Sequence, residues 1–264
     1  MTIRVGVLGA GGRMGRTVCE AVASDPDLQL VGGSDPAHAG DALVTPVGGN
    51  GGPGLTIDAA PEGLAERGAE VVVDFTHLEA ARENLMWAAA AGIHAVAGTT
   101  GWTGADYEAL RAAFASSNCL IAPNFAIGAV LMMRFAELAA PWFETAEVIE
   151  LHHDQKLDAP SGTAMRTVER MAAASSDWGS DPTRTETVAG ARGAAGPAGI
   201  HVHSVRLHGL VAHHEVLLGT TGQSLTIRHD SYDRTSFMPG VLLAVKEVAR
   251  HPGLTVGLDP LLGL

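Results

Sequence analysis

The chain has 264 residues, 46% of them hydrophobic, with 33 glycines and a formal net charge of −12. That length suits one large domain or two modest ones, each able to bury a core. The acidic balance excludes nucleic acid and anionic membrane surfaces as expected partners, and no apolar run reaches the length of a membrane span.

Residues 3–8 read as a buried strand with no leader-type apolar segment before it, followed by Gly9-Ala-Gly-Gly-Arg-Met-Gly15 and a helix over 13–23. A second strand over 28–34 ends at Asp35. A glycine loop set between a strand and a helix is the context of a dinucleotide site. Gly9, Gly12 and Gly15 serve the turn, the approach to a pyrophosphate and the close packing of the helix, while Met14 stands where the usual pattern has glycine or alanine. Asp35, about 20 residues beyond the loop, is placed to bond the adenosine ribose hydroxyls. Pro36, Ala37 and His38 supply no arginine beside it, which favours NADH; Arg13 and Arg16 beside the loop leave NADPH open.

Residues 36–54 read as a polar, glycine-rich loop, densest over 48–54. Strands over 71–75, 95–97 and 119–122 then alternate with helices over 78–91, 104–115 and 128–138. Elements alternating at this length imply a doubly wound, Rossmann-like parallel sheet. The turns 98–101 and 122–125 follow strands of that sheet, so they belong at its carboxyl edge. Cys19 and Cys119 lie inside apolar patterns, which argues against a disulfide framework and for a reducing, cytoplasmic setting.

After residue 140 the texture changes to strands over 147–151, 200–207, 212–218 and 224–229, with a long Ser, Gly, Ala and Pro-rich loop over 175–199. A helix over 237–249 returns at the end. The fold class is therefore α/β: a Rossmann-like sheet from 1–125 plus 236–264, with an inserted α+β domain, 126–235, on a mostly antiparallel open sheet. Hinges near both ends and a ligand cleft are the expected consequences.

The segment Glu150-Leu-His-His-Asp-Gln-Lys-Leu-Asp-Ala-Pro-Ser-Gly-Thr163 packs two histidines, a lysine and a helix start into fourteen residues. Unpaired N–H groups and the positive dipole end at that helix start can hold a carboxylate or phosphate, and Gly162 lets it approach. His152 and His153 can exchange protons near neutral pH. Lys156 is one of only two lysines against fifteen arginines, and an ammonium can give up a proton where a guanidinium cannot.

These two segments together resemble the 4-hydroxy-tetrahydrodipicolinate (dihydrodipicolinate) reductase family. The likeness extends over nearly the whole chain through Val73-Asp-Phe-Thr76, Ala97-Gly-Thr-Thr-Gly101, Ala122-Pro-Asn-Phe125 and Arg228-His-Asp-Ser-Tyr-Asp-Arg-Thr-Ser-Phe237. The resemblance implies reduction of a cyclic imine dicarboxylate by NADH or NADPH, on the diaminopimelate and lysine pathway, by a homotetramer joined through its second domains. It implies His152 as proton donor or acceptor, Lys156 as a second proton donor, and His153, Ser161, Gly162 and Thr163 as substrate contacts. Cofactor contacts carry over to Gly9, Ala10, Gly11, Gly12, Arg13 and Met14, to Asp35, to Gly98, Thr99 and Thr100, and to Ala122, Pro123, Asn124 and Phe125. No metal is implied. Asp154 and Gln155 stand where members often carry basic residues, and Pro36 where some have arginine.

Two other functions compete. His152-His153, His201-x-His203 and His213-His214 in one domain raise a metal-dependent hydrolase, although zinc needs convergent ligands. A dinucleotide sensor that binds without turnover is the other.

Overall fold

The structure is a computed structural model describing residues 2–264 apart from 44, 46, 47, 52 and 53. Gly52 and Pro53 of the glycine run 48–54 lie outside the described residues. In chain order the elements are β1 (Ile3–Leu8), α1 (Arg13–Ser24), β2 (Leu28–Ser34), β3 (Ile57–Asp58), α2 (Glu62–Glu66), β4 (Val71–Asp74), α3 (Leu78–Ala90), β5 (His94–Ala97), α4 (Gly104–Ala113) and β6 (Cys119–Ile121). They continue with α5 (Ile127–Ala139), β7 (Thr145–His152), α6 (Gly162–Ala174), β8 (Ala194–Ala195), β9 (His201–Arg206), β10 (Ala212–Thr220), β11 (Gln223–Ser231), α7 (Met238–Glu247) and β12 (Leu254–Val256). The chain divides into two compact units, Met1–Phe125 with Phe237–Leu264, and Ala126–Ser236.

The first unit carries a seven-stranded sheet in the order β12-β6-β5-β4-β1-β2-β3, and every strand pair in it is parallel. Strands so placed are covered on both faces, which is why Val71, Val72 and Val73 form an unbroken apolar run, all buried. The chain winds outward from β1 to β3, then returns to β4 on the other side of β1. The carboxyl ends of β1 and β4 are thus neighbours at the point where the strand order reverses, the usual ligand crevice of such sheets. Helix α1 turns Val18, Cys19, Val22 and Ala23 inward, a spacing of three and four that puts them on one face. Cys19 is fully buried, and burial pushes its thiol up to about 12. Helix α4 begins with a reciprocal capping box between Thr103 and Asp106.

The second unit has a five-stranded sheet in the order β11-β10-β7-β9-β8. It is mixed: β7 and β9 run parallel, and the other pairs are antiparallel. Alternation along β7 and β10 buries Val148 and Glu150 on one strand and His214, Val216 and Leu218 on the other. That face meets α5, since a Cβ on Gly128 would stand 2.5 Å from the His229 ring. Glu150 is opposite Ser204 on β9 and opposite His214 on β10.

Four elements lie beyond the sequence reading: β3, α2, β8 and β12. Each has two to five residues, too few for a period to emerge. Among the described residues no helix is long and apolar enough to cross a membrane.

His214 is 5% exposed, and burial first of all pushes its imidazole down to about 4. A histidine held neutral in the fold must charge as the chain unfolds in acid. Its contribution is therefore complete above the unfolded value near 6.5 and is lost as pH falls toward about 4, on the order of 3 kcal/mol over that window. Urea unfolding should show a smaller acid loss in His214→Gln than in the natural protein. Equal losses would place the acid sensitivity elsewhere.

Candidate active site

The loop after β1 owes its shape to glycine. Gly9 has a φ of +70°, the left-handed region that L side chains avoid. A Cβ on Gly15 would lie 2.0 Å from the Gly9 carbonyl oxygen, so only glycine lets α1 pack this closely under the loop. The N–H of Gly9 donates to Ser34 O at 2.7 Å, and the N–H of Gly12 donates to Gly9 O at 3.0 Å. Gly12 caps α1 without a side chain, and the first turn holds no acidic residue, so the positive end of the helix is left for an anion. Arg13 stands exposed at the helix start and Met14 is half-buried.

Asp35 follows β2 directly. Its Oδ1 accepts from Ala37 N at 3.0 Å and its Oδ2 from Gly11 N at 3.2 Å. His38 comes within 3.2 Å of the same Oδ2, and its ring covers Gly11, where a Cβ would be 2.2 Å from His38 Cγ. His38 is an imidazole beside the Asp35 carboxylate for which the sequence reading had no role.

The remaining predicted cofactor residues sit on the loops after β5 and β6, organised by buried groups. Asp74, fully buried at the end of β4, accepts from Thr76 N and Oγ1, both at 2.8 Å, and from Asn84 Nδ2 at 2.7 Å. Burial raises its carboxyl above the usual range against those bonds. Thr99 Oγ1 donates to Thr76 O at 2.8 Å, which ties the β4 and β5 loops together. Gly98 lies against Phe75, 2.1 Å from where its Cβ would be, and the Phe75 and Phe125 rings pack at 5.5 Å between centroids. Thr100 and Pro123 are exposed, Asn124 is half-buried, and Ala122 is buried, its N–H donating to Ala97 O at 3.0 Å. A tight glycine turn, an uncompensated helix start and a carboxylate after the second strand together suit a nicotinamide dinucleotide.

In the second unit the histidine segment is organised by Glu150. The i and i+2 positions of a strand share a face, so Glu150 Oε2 reaches His152 Nδ1 at 2.5 Å. Arg206 donates to both carboxylate oxygens, at 2.9 and 2.8 Å, and Ser161 N donates to Oε1 at 3.2 Å. Burial raises the Glu150 carboxyl, but bonds from Arg206, Ser204 and His152 outweigh it and hold it below the usual range. Burial likewise lowers His152, more than Glu150 raises it. Neither Glu150 nor Arg206 was singled out from sequence. The available signal was a charged residue at the inward parity of a strand, in step with the buried Val148 in β7 and Val202 in β9.

Lys156 donates to both oxygens of Asp158, at 2.7 and 2.9 Å, and that partner holds the Asp158 carboxyl low. Arg206 Nη2 donates to Asp158 O at 2.6 Å, fixing the loop to the sheet. His153 is exposed and its carbonyl accepts from Lys156 N at 3.2 Å. The Ser161 hydroxyl caps α6, accepting from Ala164 N at 3.2 Å. The Thr163 carbonyl accepts from Thr167 Oγ1 at 2.8 Å. A Cβ on Gly162 would meet nothing within 4 Å, and the first turn of α6 is free of acidic residues. Space and positive potential coincide there.

The other histidines do not join this group as metal ligands. His201 pairs with Asp181 at 3.5 Å, His203 with Glu147 at 2.5 Å and His213 with Asp230 at 2.6 Å. Among the described residues no three His, Cys, Asp or Glu converge as a metal site.

Comparison with known proteins agrees over the full length. The sequence profile of dihydrodipicolinate reductase, N-terminus, matches residues 3–125, and that of dihydrodipicolinate reductase, C-terminus, matches residues 128–262. The 4-hydroxy-tetrahydrodipicolinate reductase of Nocardia farcinica is 54% identical across all of both chains. That of Mycobacterium ulcerans is 52% identical over 99% of this chain and all of the relative. A dipicolinate-bound dihydrodipicolinate reductase from Paenisporosarcina sp. TG-14 superposes with a TM-score of 0.86 at 40% identity, covering 98% of this chain and 99% of that one.

Proposed function

The chain belongs to the dihydrodipicolinate reductase family, and from that membership we propose that it reduces 4-hydroxy-tetrahydrodipicolinate to tetrahydrodipicolinate in diaminopimelate and lysine biosynthesis. The observation that carries the reading is the convergence of His152 and the start of α6 on the Glu150 carboxylate. A proton donor and an anion seat on one support suit a dicarboxylate ring, and the Paenisporosarcina relative is a dipicolinate complex.

The first unit is the dinucleotide-binding domain, with Gly9 to Met14 and Asp35 for the pyrophosphate and adenosine ribose, and Gly98 to Thr100 and Ala122 to Phe125 for the nicotinamide end. When bound, NADH or NADPH supplies a hydride. The second unit holds the substrate: Gly162, Thr163 and Ser161 present the helix start to one carboxylate, and His153 and Lys156 bring donors to the ring. The 4-hydroxyl leaves as water, taking a proton with it from the neighbouring carbon, and hydride then adds to the conjugated imine at the carbon that carried the hydroxyl. This leaves an electron-rich enamine whose neighbouring carbon must gain a proton. His152 provides it from Nε2, since Nδ1 is engaged by Glu150. Such general acid catalysis is worth about 10² to 10⁴ in rate.

Asp35 makes NADH the better-held donor, with Arg13 the residue that would meet a 2′-phosphate. Substrate made freshly by the preceding synthase from pyruvate and aspartate semialdehyde should drive oxidation of NADH, and of NADPH less well. No substrate-dependent oxidation of either would sink the reductase reading. Hydrogen bonds to a charged group are worth about 1.5 to 3 kcal/mol, so Asp35→Ala should shift the ratio of NADH to NADPH dissociation constants roughly 10-fold toward NADPH. An unchanged ratio would remove Asp35 from donor choice.

The assembly we infer is a homotetramer joined through the second unit's sheet. Ile149, Leu151, Val205 and Leu217 stay only half-buried on the face opposite His214 and Glu150. Two free, buried cysteines support a cytoplasmic setting.

A further inference from the structure

We propose that Glu150 is a positioning residue for the reduction: it fixes the His152 ring in the tautomer with its proton on Nδ1, and it fastens the start of α6 to the same carboxylate. The inference rests on His152 being the proton donor. A fully buried carboxylate without partners would take up a proton and become neutral. Here Glu150 is wholly buried yet accepts two bonds from Arg206, one from Ser161 N and one from Ser204, besides His152. It therefore stays an anion, and an anion can only accept. The hydrogen in the 2.5 Å contact belongs to His152 Nδ1, which leaves Nε2 as the nitrogen that takes up and delivers a proton.

The groups facing His152 show what Glu150 adds. It stands beside the ring on β7, Arg206 approaches from β9, Lys156 from the following loop, and His214 lies across from Glu150 on β10. Arg206 and Lys156 disfavour an imidazolium; His214, driven down to about 4 by burial, is neutral near pH 7. Only Glu150 favours the protonated ring. Through Ser161 N it also sets the helix start against the donor, so one side chain registers the proton donor with the carboxylate seat. A purely structural part, clamping β7 to β9 through Arg206, would lower the yield of folded protein without changing how activity depends on pH.

The test uses Glu150→Gln and Glu150→Asp in the whole protein. Glu150→Gln puts an N–H donor where an acceptor stood, so the imidazolium loses its partner. We expect kcat near pH 7 to fall about 10- to 100-fold, within the range that general acid catalysis supplies. The basic limb of kcat/KM should move to lower pH, NADH affinity should hold, and Glu150→Asp should recover part of the loss. A pH profile superimposable on that of the natural protein would overturn the proposal. Should Glu150→Gln not fold, nitrogen NMR of the natural protein decides, with the His152 signals identified by their loss in His152→Asn. A proton on Nδ1 of the neutral ring upholds the proposal and a proton on Nε2 refutes it. That measurement uses no substrate, so it can fail while the reductase assignment stands.

Discussion

Replacing His152 by alanine should lower kcat by about 10² to 10⁴, the span expected when a general acid is removed, while the NADH dissociation constant stays as it was. The separation follows from where the ring is held. His152 closes β7 in the second unit, bonded to Glu150, and the residues proposed to hold the dinucleotide all lie in the first unit. The substrate KM should change little, because the helix start of α6 and Lys156 remain to meet the carboxylates. A loss confined to kcat is the signature of a group that acts only in the transition state. Stopped-flow measurement of hydride transfer, alongside fluorescence titration with NADH, gives both quantities. If the variant lost NADH affinity in step with kcat, His152 would be a binding residue and the assignment would be wrong.

The first unit was legible because its strands are buried on both faces and its helices have one apolar stripe, so each element writes a different period. Gly9 and Gly15 were legible for a different reason: conformation and close packing leave no alternative to glycine there. Gly11 was a quieter case, since what excludes a side chain there is the His38 ring, a residue far along the chain. The supports of the site were harder to see. Glu150, Arg206 and Asp74 act through partners distant in sequence, 56 residues apart for Glu150 and Arg206 and 25 for Asp74 and Thr99. Nothing local marks such a pair beyond a charge at an inward position. Ser161, expected as a substrate contact, also has a local duty that its place before a helix makes legible: its hydroxyl caps α6.

Lys156, the second proton donor proposed, makes a prediction opposite in sign to that for Glu150. Lys156 is held bidentately by Asp158, whose side chain is 61% exposed. An ion pair so open to solvent contributes little to stability, so exchange for a substrate carboxylate costs little. Lys156→Met keeps the length of the side chain and removes its charge. We expect kcat to fall about 10²-fold, the lower bound for a lost proton donor, and KM to rise as a carboxylate loses its cation. Lys156 also opposes protonation of His152; its removal should move the His152 titration to higher pH, where Glu150→Gln moves it lower. Lys156→Arg separates charge from proton transfer, because guanidinium keeps the positive charge but does not give up a proton in this pH range. That variant should restore KM without restoring kcat. If it restores both, Lys156 acts as a fixed charge alone, and His152 is left as the only proton donor.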